Sequence, residues 1–162
     1  MSASLLILAF VTLQRLAELV IAKRNTLALL ARGAREAGGD HYAYMVCLHA
    51  AWLGGLWLLA PGKPVHFGWL GLFLLLQALR VWVLVTLKGR WTTRVIILPG
   101  ETLVRAGPYR LLNHPNYVIV AGEIAALPLA FAMPAYAILF SILNAAMLAI
   151  RIRVENAALR GQ

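Results

Sequence analysis

Cysteine is nearly missing from this chain. Cys47 stands alone in an apolar run, so no disulfide can form within one molecule, and its setting predicts a small core residue. Acidic residues are scarce as well, six against fifteen Lys and Arg. His41, His49, His66 and His114 show no ligand spacing with the acids or with one another, so no metal is expected. Charged residues of both signs fill only 13% of the 162 positions, too few for a soluble globular protein of ordinary composition.

What is present is apolar. Hydrophobic residues make up 62% of the chain and its mean hydropathy is +0.78. A soluble core of this size could not hide so much apolar surface, whereas lipid can cover the remainder. One domain, 1–162, is expected, with three membrane helices in 1–90 and a loop, a helical hairpin and a tail in 91–162.

The apolar runs can be placed one by one. Ala3 to Ala22 is broken only by Gln14, Arg15 and Glu18; Tyr42 to Ala60 and Phe67 to Leu87 follow. Each is close to the roughly 20 residues that a helix needs to span a hydrocarbon core. Val118 to Ala132 and Ala135 to Ile150 are shorter and are separated by Met133-Pro134, which suits a tight turn. The pattern predicts an all-α integral membrane protein with about five transmembrane helices, the last two a helical hairpin. The first run has no basic segment before it, so it reads as a helix of the mature protein rather than a signal peptide.

The positions of the charges give the orientation. With five helices the odd-numbered connections and the C-terminal tail share one side. That side carries Lys23, Arg24, Arg32 and Arg35, then Lys88, Arg90, Arg94, Arg105 and Arg110, then Arg151, Arg153 and Arg160, twelve of the fifteen basic residues. Excess positive charge marks the cytoplasmic side, which puts the N-terminus outside. The formal net charge of +9 therefore calls for no nucleic acid, and contact with anionic lipid headgroups is a secondary expectation.

The longest connection, Lys88 to Pro115, holds Trp91, Val95, Ile96, Ile97, Leu98, Leu103, Val104 and Tyr109, all with reason to pack. Val95 to Leu98 is β-prone, and Pro99-Gly100 and Gly107-Pro108 are turn formers. A folded cytosolic loop against the membrane face of the helices is expected.

Within it, "GPYRLLNHPNY" runs from Gly107 to Tyr117. Pro115 suits the first turn of a helix with His114 near the cap, so "NHPNY" starts helix four at the membrane boundary. Its free N–H groups and partial positive charge make a receptor for carboxylate or phosphate, and Asn113, His114, Asn116 and Tyr117 surround it with side-chain donors. A polar cap with Tyr117 in the aromatic belt is the plainer alternative.

Two further features bear on that choice. Glu123 lies two helical turns after Asn116 in an apolar run, where an ionisable group points by default to function; an ion pair with Arg80 or Arg15 is the structural alternative. "RIRVENAAL", Arg151 to Leu159, follows helix five, and a hairpin returns it to the side of His114. Arg151 and Glu155 stand at i,i+4 spacing, so a surface salt bridge of a few tenths of a kcal/mol is the modest reading. Charged groups of both signs meeting where the hairpin's ends converge under a folded loop favour a site.

Gly107-Pro108-Tyr109-Arg110, His114-Pro115-Asn116-Tyr117, and then Arg151 or Arg153 with Glu155 and Leu159 resemble the C-terminal signature of the isoprenylcysteine carboxyl methyltransferase family. The resemblance covers about Trp91 to Leu159. It implies a membrane enzyme that binds S-adenosylmethionine in a cytosolic pocket between loop and hairpin, with a lipophilic acceptor entering from the bilayer. Asn113 stands where a basic residue is usual, Val118-Ile119 where a glycine is, and Asn156 where a second glutamate is. Bacterial relatives with the version seen here are thought to methylate the hydroxyl of alkylpyrones or alkylresorcinols. That acceptor is favoured over an isoprenylcysteine carboxylate, because no feature of the chain speaks for a protein substrate.

By the same resemblance Gly107, Tyr109, Arg110, Leu112, His114, Pro115, Asn116, Tyr117 and Glu155 bind the cofactor. Glu155, Arg153, Arg151 and Glu123 are the candidates for catalysis: either glutamate as the base that takes a phenol or enol proton, the arginines holding the cofactor carboxylate or orienting the acceptor oxygen. No G-x-G-x-x-G loop follows a strand, which argues against a soluble Rossmann cofactor site. The rival readings are an NADPH-dependent membrane reductase of the sterol type, which shares an "HPNY" region, and a non-catalytic membrane module.

Overall fold

The computed structural model describes residues 3–102 and 104–160, apart from the side chains of Asp40, Leu159 and Arg160. Leu103 and the side chain of Leu159, both singled out from the sequence, lie outside it.

Among the described residues five α-helices carry the fold: α1 (Ala3–Ala31), α2 (Tyr42–Leu59), α3 (Phe67–Leu87), α4 (Pro115–Ala130) and α5 (Pro134–Arg160). Four of them, all but α4, are long and apolar enough to cross a membrane. At 16 residues α4 is roughly 24 Å long, short of the approximately 30 Å hydrocarbon core. Of the about five transmembrane helices expected, four are long enough to span and α4 is shorter, whereas α5, expected to be short, is long. The reason lies in packing. α4 sits against both α3 and α5, and half of its residues are buried, among them Ile119, Ile124, Ala126 and Leu127. A helix enclosed by protein need not match the thickness of lipid. By contrast, α2 buries only Trp52 and Leu56, and Leu13, Leu58, Phe67, Val85 and Ile142 are exposed around the bundle, the kind of surface that lipid covers.

Leu8, Val11, Trp52, Leu56, Phe73, Ile124, Leu127 and Phe131 belong to one core cluster. The Trp52 indole N–H reaches the Ile124 carbonyl at 3.2 Å and fastens α2 to α4. Cys47 departs from expectation: it is exposed on α2, because that helix turns only a narrow stripe inward.

The ends of the helices explain the connections. Pro128 lies in the last turn of α4 and cannot donate to the Ile124 carbonyl, which takes the Trp52 N–H instead, and the helix closes with Phe131 N–H and Met133 N–H bonded to the Pro128 carbonyl. Ala132 takes φ 55, the left-handed residue of such a stop, and Pro134 opens α5. The tight turn expected at Met133-Pro134 therefore occupies Phe131 to Met133. α1 and α5 both run past their apolar segments, α1 to Ala31 and α5 to Arg160.

The long connection is folded. β2 (Val95–Ile97) falls within the β-prone stretch and pairs antiparallel with β1 (Arg35–Ala37), with Glu36 opposite Ile96. Arg94 Nη1 donates to Glu36 Oε1 at 2.6 Å, and its guanidinium lies 4.1 Å from the centre of the Tyr42 ring. Both strands touch α5. The short 3-10 turns Lys88–Arg90 and Gly107–Arg110 pack on the end of α3.

Candidate functional site

The start of α4 and the far end of α5 meet through side chains. The Tyr117 hydroxyl donates to Glu155 Oε2 at 2.6 Å. His114 stacks on the Tyr117 ring with centroids 5.3 Å apart, and its Nδ1 lies 3.7 Å from the same carboxylate oxygen. The Arg151 guanidinium stands 5.6 Å from the centre of the Tyr117 ring. Helical geometry produces this grouping. His114 and Tyr117 flank Pro115 and Asn116 across the first turn of α4, and Arg151 and Glu155 are one turn apart on α5.

The 3-10 turn below brings Tyr109. Burial, with the Glu155 charge adding to it, pushes the Tyr109 phenol up to about 12, so it stays protonated at neutral pH. Pro108 and Pro115 are buried and rigidify the turn at either end. Gly107 holds φ 53, and a side chain there would meet Thr86 Oγ1 at 2.5 Å, so its contribution is a close approach of loop to α3.

Two buried polar atoms at this junction have no hydrogen-bond partner among the described residues: Asn116 Oδ1 and Arg151 Nε. Arg151 is 5% exposed. Its Nη1 touches Met45 Sδ, and it forms no ion pair among the described residues. A buried cation facing a thioether is costly unless an anion joins it. The donor set suits a ligand that carries both a carboxylate and a hydrogen-bond donor.

The remaining expected residues separate from this group. Arg153, Arg110 and Leu112 are exposed, and Asn113 is exposed beside the cap. Glu123 is 1% exposed in another cluster. It accepts from Arg80 Nε at 2.8 Å and also from Arg80 Nη2, from Arg15 Nη2 at 2.7 Å and from Gln77 Nε2 at 3.0 Å. Arg15 and Arg80 each also reach Glu18, at 2.9 and 3.4 Å, so two cations and two anions balance in the bundle. The ion pair named as the alternative for Glu123 is what the structure builds, and with both arginines. Gln14 and Glu18, which interrupt the first apolar run, and Gln77, which the sequence did not single out, complete the network; polar residues inside runs otherwise apolar are the signal for all three.

A cleft of about 480 Å3 opens elsewhere, between the ends of α1 and α3, and its lining includes none of Tyr109, His114, Tyr117, Arg151 or Glu155.

Comparison with known proteins agrees with the motif. A Bacillus subtilis (strain 168) protein described as uncharacterized, YpbQ, is 37% identical over 160 residues, covering 96% of this chain and 95% of its own. An uncharacterized Haemophilus influenzae protein is 28% identical over 152 residues, 90% of this chain and 88% of its own. No solved structure matches the chain. Residues 69–161, which contain α4, α5 and the Tyr117–Glu155 pair, match the isoprenylcysteine carboxyl methyltransferase (ICMT) family. The chain belongs to that family of membrane methyltransferases.

Proposed function

We propose that the protein is an S-adenosylmethionine-dependent O-methyltransferase whose acceptor is a lipophilic molecule bearing a hydroxyl, of the alkylpyrone or alkylresorcinol kind, in preference to an isoprenylcysteine carboxylate. The observation that carries the reading is the junction of α4 and α5. There Tyr117 and Glu155 are bonded at 2.6 Å beside two buried polar atoms without partners, Asn116 Oδ1 and Arg151 Nε. Membership of a methyltransferase family supplies the reaction type.

The residues present fit the methyl donor. S-adenosylmethionine, when bound, supplies an electrophilic methyl group on a sulfonium together with a carboxylate and an amino group. Arg151 would hold the carboxylate through charge-assisted bonds, which would also give its Nε a partner. Asn116 Oδ1 would accept from an N–H of the ligand. His114 and Tyr117 would offer ring faces and edges, and the turn from Gly107 to Arg110 with Pro115 would close the floor. Arg110 and Leu112 at the rim would order with the ligand, and Arg153 would steer anionic groups toward the site.

Glu155 is the candidate base. A phenol or enol becomes a stronger nucleophile as its proton leaves, and Glu155 Oε2 would receive that proton once the acceptor hydroxyl takes the place of the Tyr117 donor. The rest of the task is alignment and exclusion of water, which a junction under a folded loop serves. The charge pattern supports placing this junction on the cytoplasmic side with the N-terminus outside; the membrane would be a bacterial inner membrane, α4 and α5 would form a hairpin, and the acceptor would arrive from the lipid. No role for nucleic acid is proposed.

The test is methyl transfer in proteoliposomes, with labelled S-adenosylmethionine and a long-chain alkylpyrone, an alkylresorcinol or a prenylated cysteine. Labelled methyl ether formed by the wild type and lost in Glu155→Gln supports the reading. Oxidation of NADPH by a lipid substrate, with no methyl transfer, would contradict it and favour a reductase.

A further inference from the structure

We propose that the cleft between the ends of α1 and α3 binds the headgroup of an anionic phospholipid. The cleft holds about 480 Å3, room for a phosphate and its glycerol. Its wall carries Asn25 from α1, Arg32 from the turn just after it, Thr86 from α3, and Lys88, Arg90 and Glu101 from the segment that follows. Three cations face a single acid there. Glu101 is shared by Arg90 at 2.8 Å and Arg32 at 3.2 Å, so one carboxylate is divided between two guanidinium groups. Lys88 forms no ion pair among the described residues. Two positive charges are left over, the complement of a phosphate.

The wall is held in place for that task. Asn25 Nδ2 donates to the Lys88 carbonyl at 3.1 Å and to the Trp91 carbonyl at 2.8 Å, and Arg90 Nη1 donates to the Thr102 carbonyl at 3.0 Å. Lys88 itself takes φ 51 and ψ −126, a conformation that glycine adopts more easily. Lys88 adopts it all the same, next to Gly89, and lines the cleft.

The apolar surface next to the cleft argues for a lipid rather than a free ion. It opens where the apolar course of α3 ends, and one turn further in Trp82 is 44% exposed, with Val85 exposed beside it. Indole rings gather at the membrane interface, and acyl chains of a lipid seated by its phosphate would run along these two residues. A zwitterionic headgroup brings its own cation and gains less from the surplus. Basic pockets between spanning helices at the interface bind acidic headgroups for this reason.

The full chain in nanodiscs of equal dioleoylphosphatidylglycerol and dioleoylphosphatidylcholine, released gently for native mass spectrometry, tests the proposal. The wild type should retain phosphatidylglycerol in preference to phosphatidylcholine. Lys88→Gly, which relaxes the backbone, and Arg32→Gln, at a side chain 58% exposed, should each cut that preference by about fivefold without loss of folding. Equal retention of the two lipids, or unchanged preference in both variants, overturns the proposal. So does displacement of the lipid by inorganic phosphate, which would make the cleft a site for the free ion. Loss of S-adenosylhomocysteine binding in the same variants would assign the cleft to the methyl donor instead.

Discussion

Tyr117, in the first turn of α4, and Glu155, 38 residues later near the end of α5, share a hydrogen bond of 2.6 Å. The bond ties the beginning of one helix to the end of the next. It also sets the carboxylate among His114, Tyr109 and Arg151, and the bond and its setting can be separated by substitution. Tyr117→Phe keeps the stacking on His114 and removes only the hydroxyl, so stability should fall by about 1 kcal/mol. S-adenosylhomocysteine binding, followed by titration calorimetry, should persist in this variant and disappear in Arg151→Met, which empties the cationic position.

Glu123 should behave differently from Glu155. Glu123→Ala leaves Arg80 buried and Arg15 half-buried with only Glu18 to share, and the cost of an uncompensated buried charge is about 3–5 kcal/mol. Adding Arg80→Leu should recover part of that loss, since the two residues are directly bonded. Thermal unfolding in detergent reads both effects. Molecules of Glu123→Ala that remain folded should bind S-adenosylhomocysteine as the wild type does, which a catalytic or ligand-binding role for Glu123 would not allow.

Gly107→Ala should destabilise the loop through two separable causes. The new methyl meets Thr86 Oγ1, and φ 53 is strained for any side chain, at about 1 kcal/mol or more. Thr86→Ala in the same chain should relieve the first cause and leave the second. Partial recovery of the melting temperature is the expected outcome, and full recovery would mean that the backbone conformation carries no strain.

Acid should loosen the cleft wall before it loosens the helices. The Arg90 hydrogen bond to Glu101, with Arg90 and Arg32 charges behind it, holds that carboxyl below its ordinary value of 4.5 in spite of some desolvation. A carboxyl depressed in the folded state contributes stability that is full above its unfolded value and is lost as pH falls through the lower folded value. Amide protection factors across 88–102, which divide out the intrinsic pH dependence of exchange, should therefore be steady above about pH 4.5 and fall below it. Glu101→Gln should show the lower protection at every pH.

The residues show which parts of this architecture can be read from the chain. Phe67–Leu87 matches its apolar run to the residue, because apolar side chains occupy its outer and inner faces alike, apart from Gln77 and Arg80, until Lys88 ends the run. α1 outruns Ala22 because Ala22, Thr26 and Leu29 continue its buried stripe while Lys23 and Arg24 turn outward, so charge masks a helix that packing sustains. β2 announces itself by Val95, Ile96 and Ile97; β1, made of Arg35, Glu36 and Ala37, has no β propensity of its own and forms only because β2 lies beside it. The meeting of His114, Tyr117, Arg151 and Glu155 follows from a helical return and is legible at the level of turns and spacing. The exposure of Arg153 against the burial of Arg151 depends on the rotation of α5 against α2 and α4, which no spacing in the sequence specifies.

The central claim is that this junction binds the methyl donor. Calorimetric titration of the detergent-purified protein with S-adenosylmethionine, S-adenosylhomocysteine and NADPH, repeated on folded His114→Ala and Glu155→Ala variants, tests it most directly. Binding of the first two ligands by the wild type, lost or strongly weakened in both variants, is the predicted result. Binding of NADPH alone, or S-adenosylmethionine binding untouched by either substitution, would contradict the account.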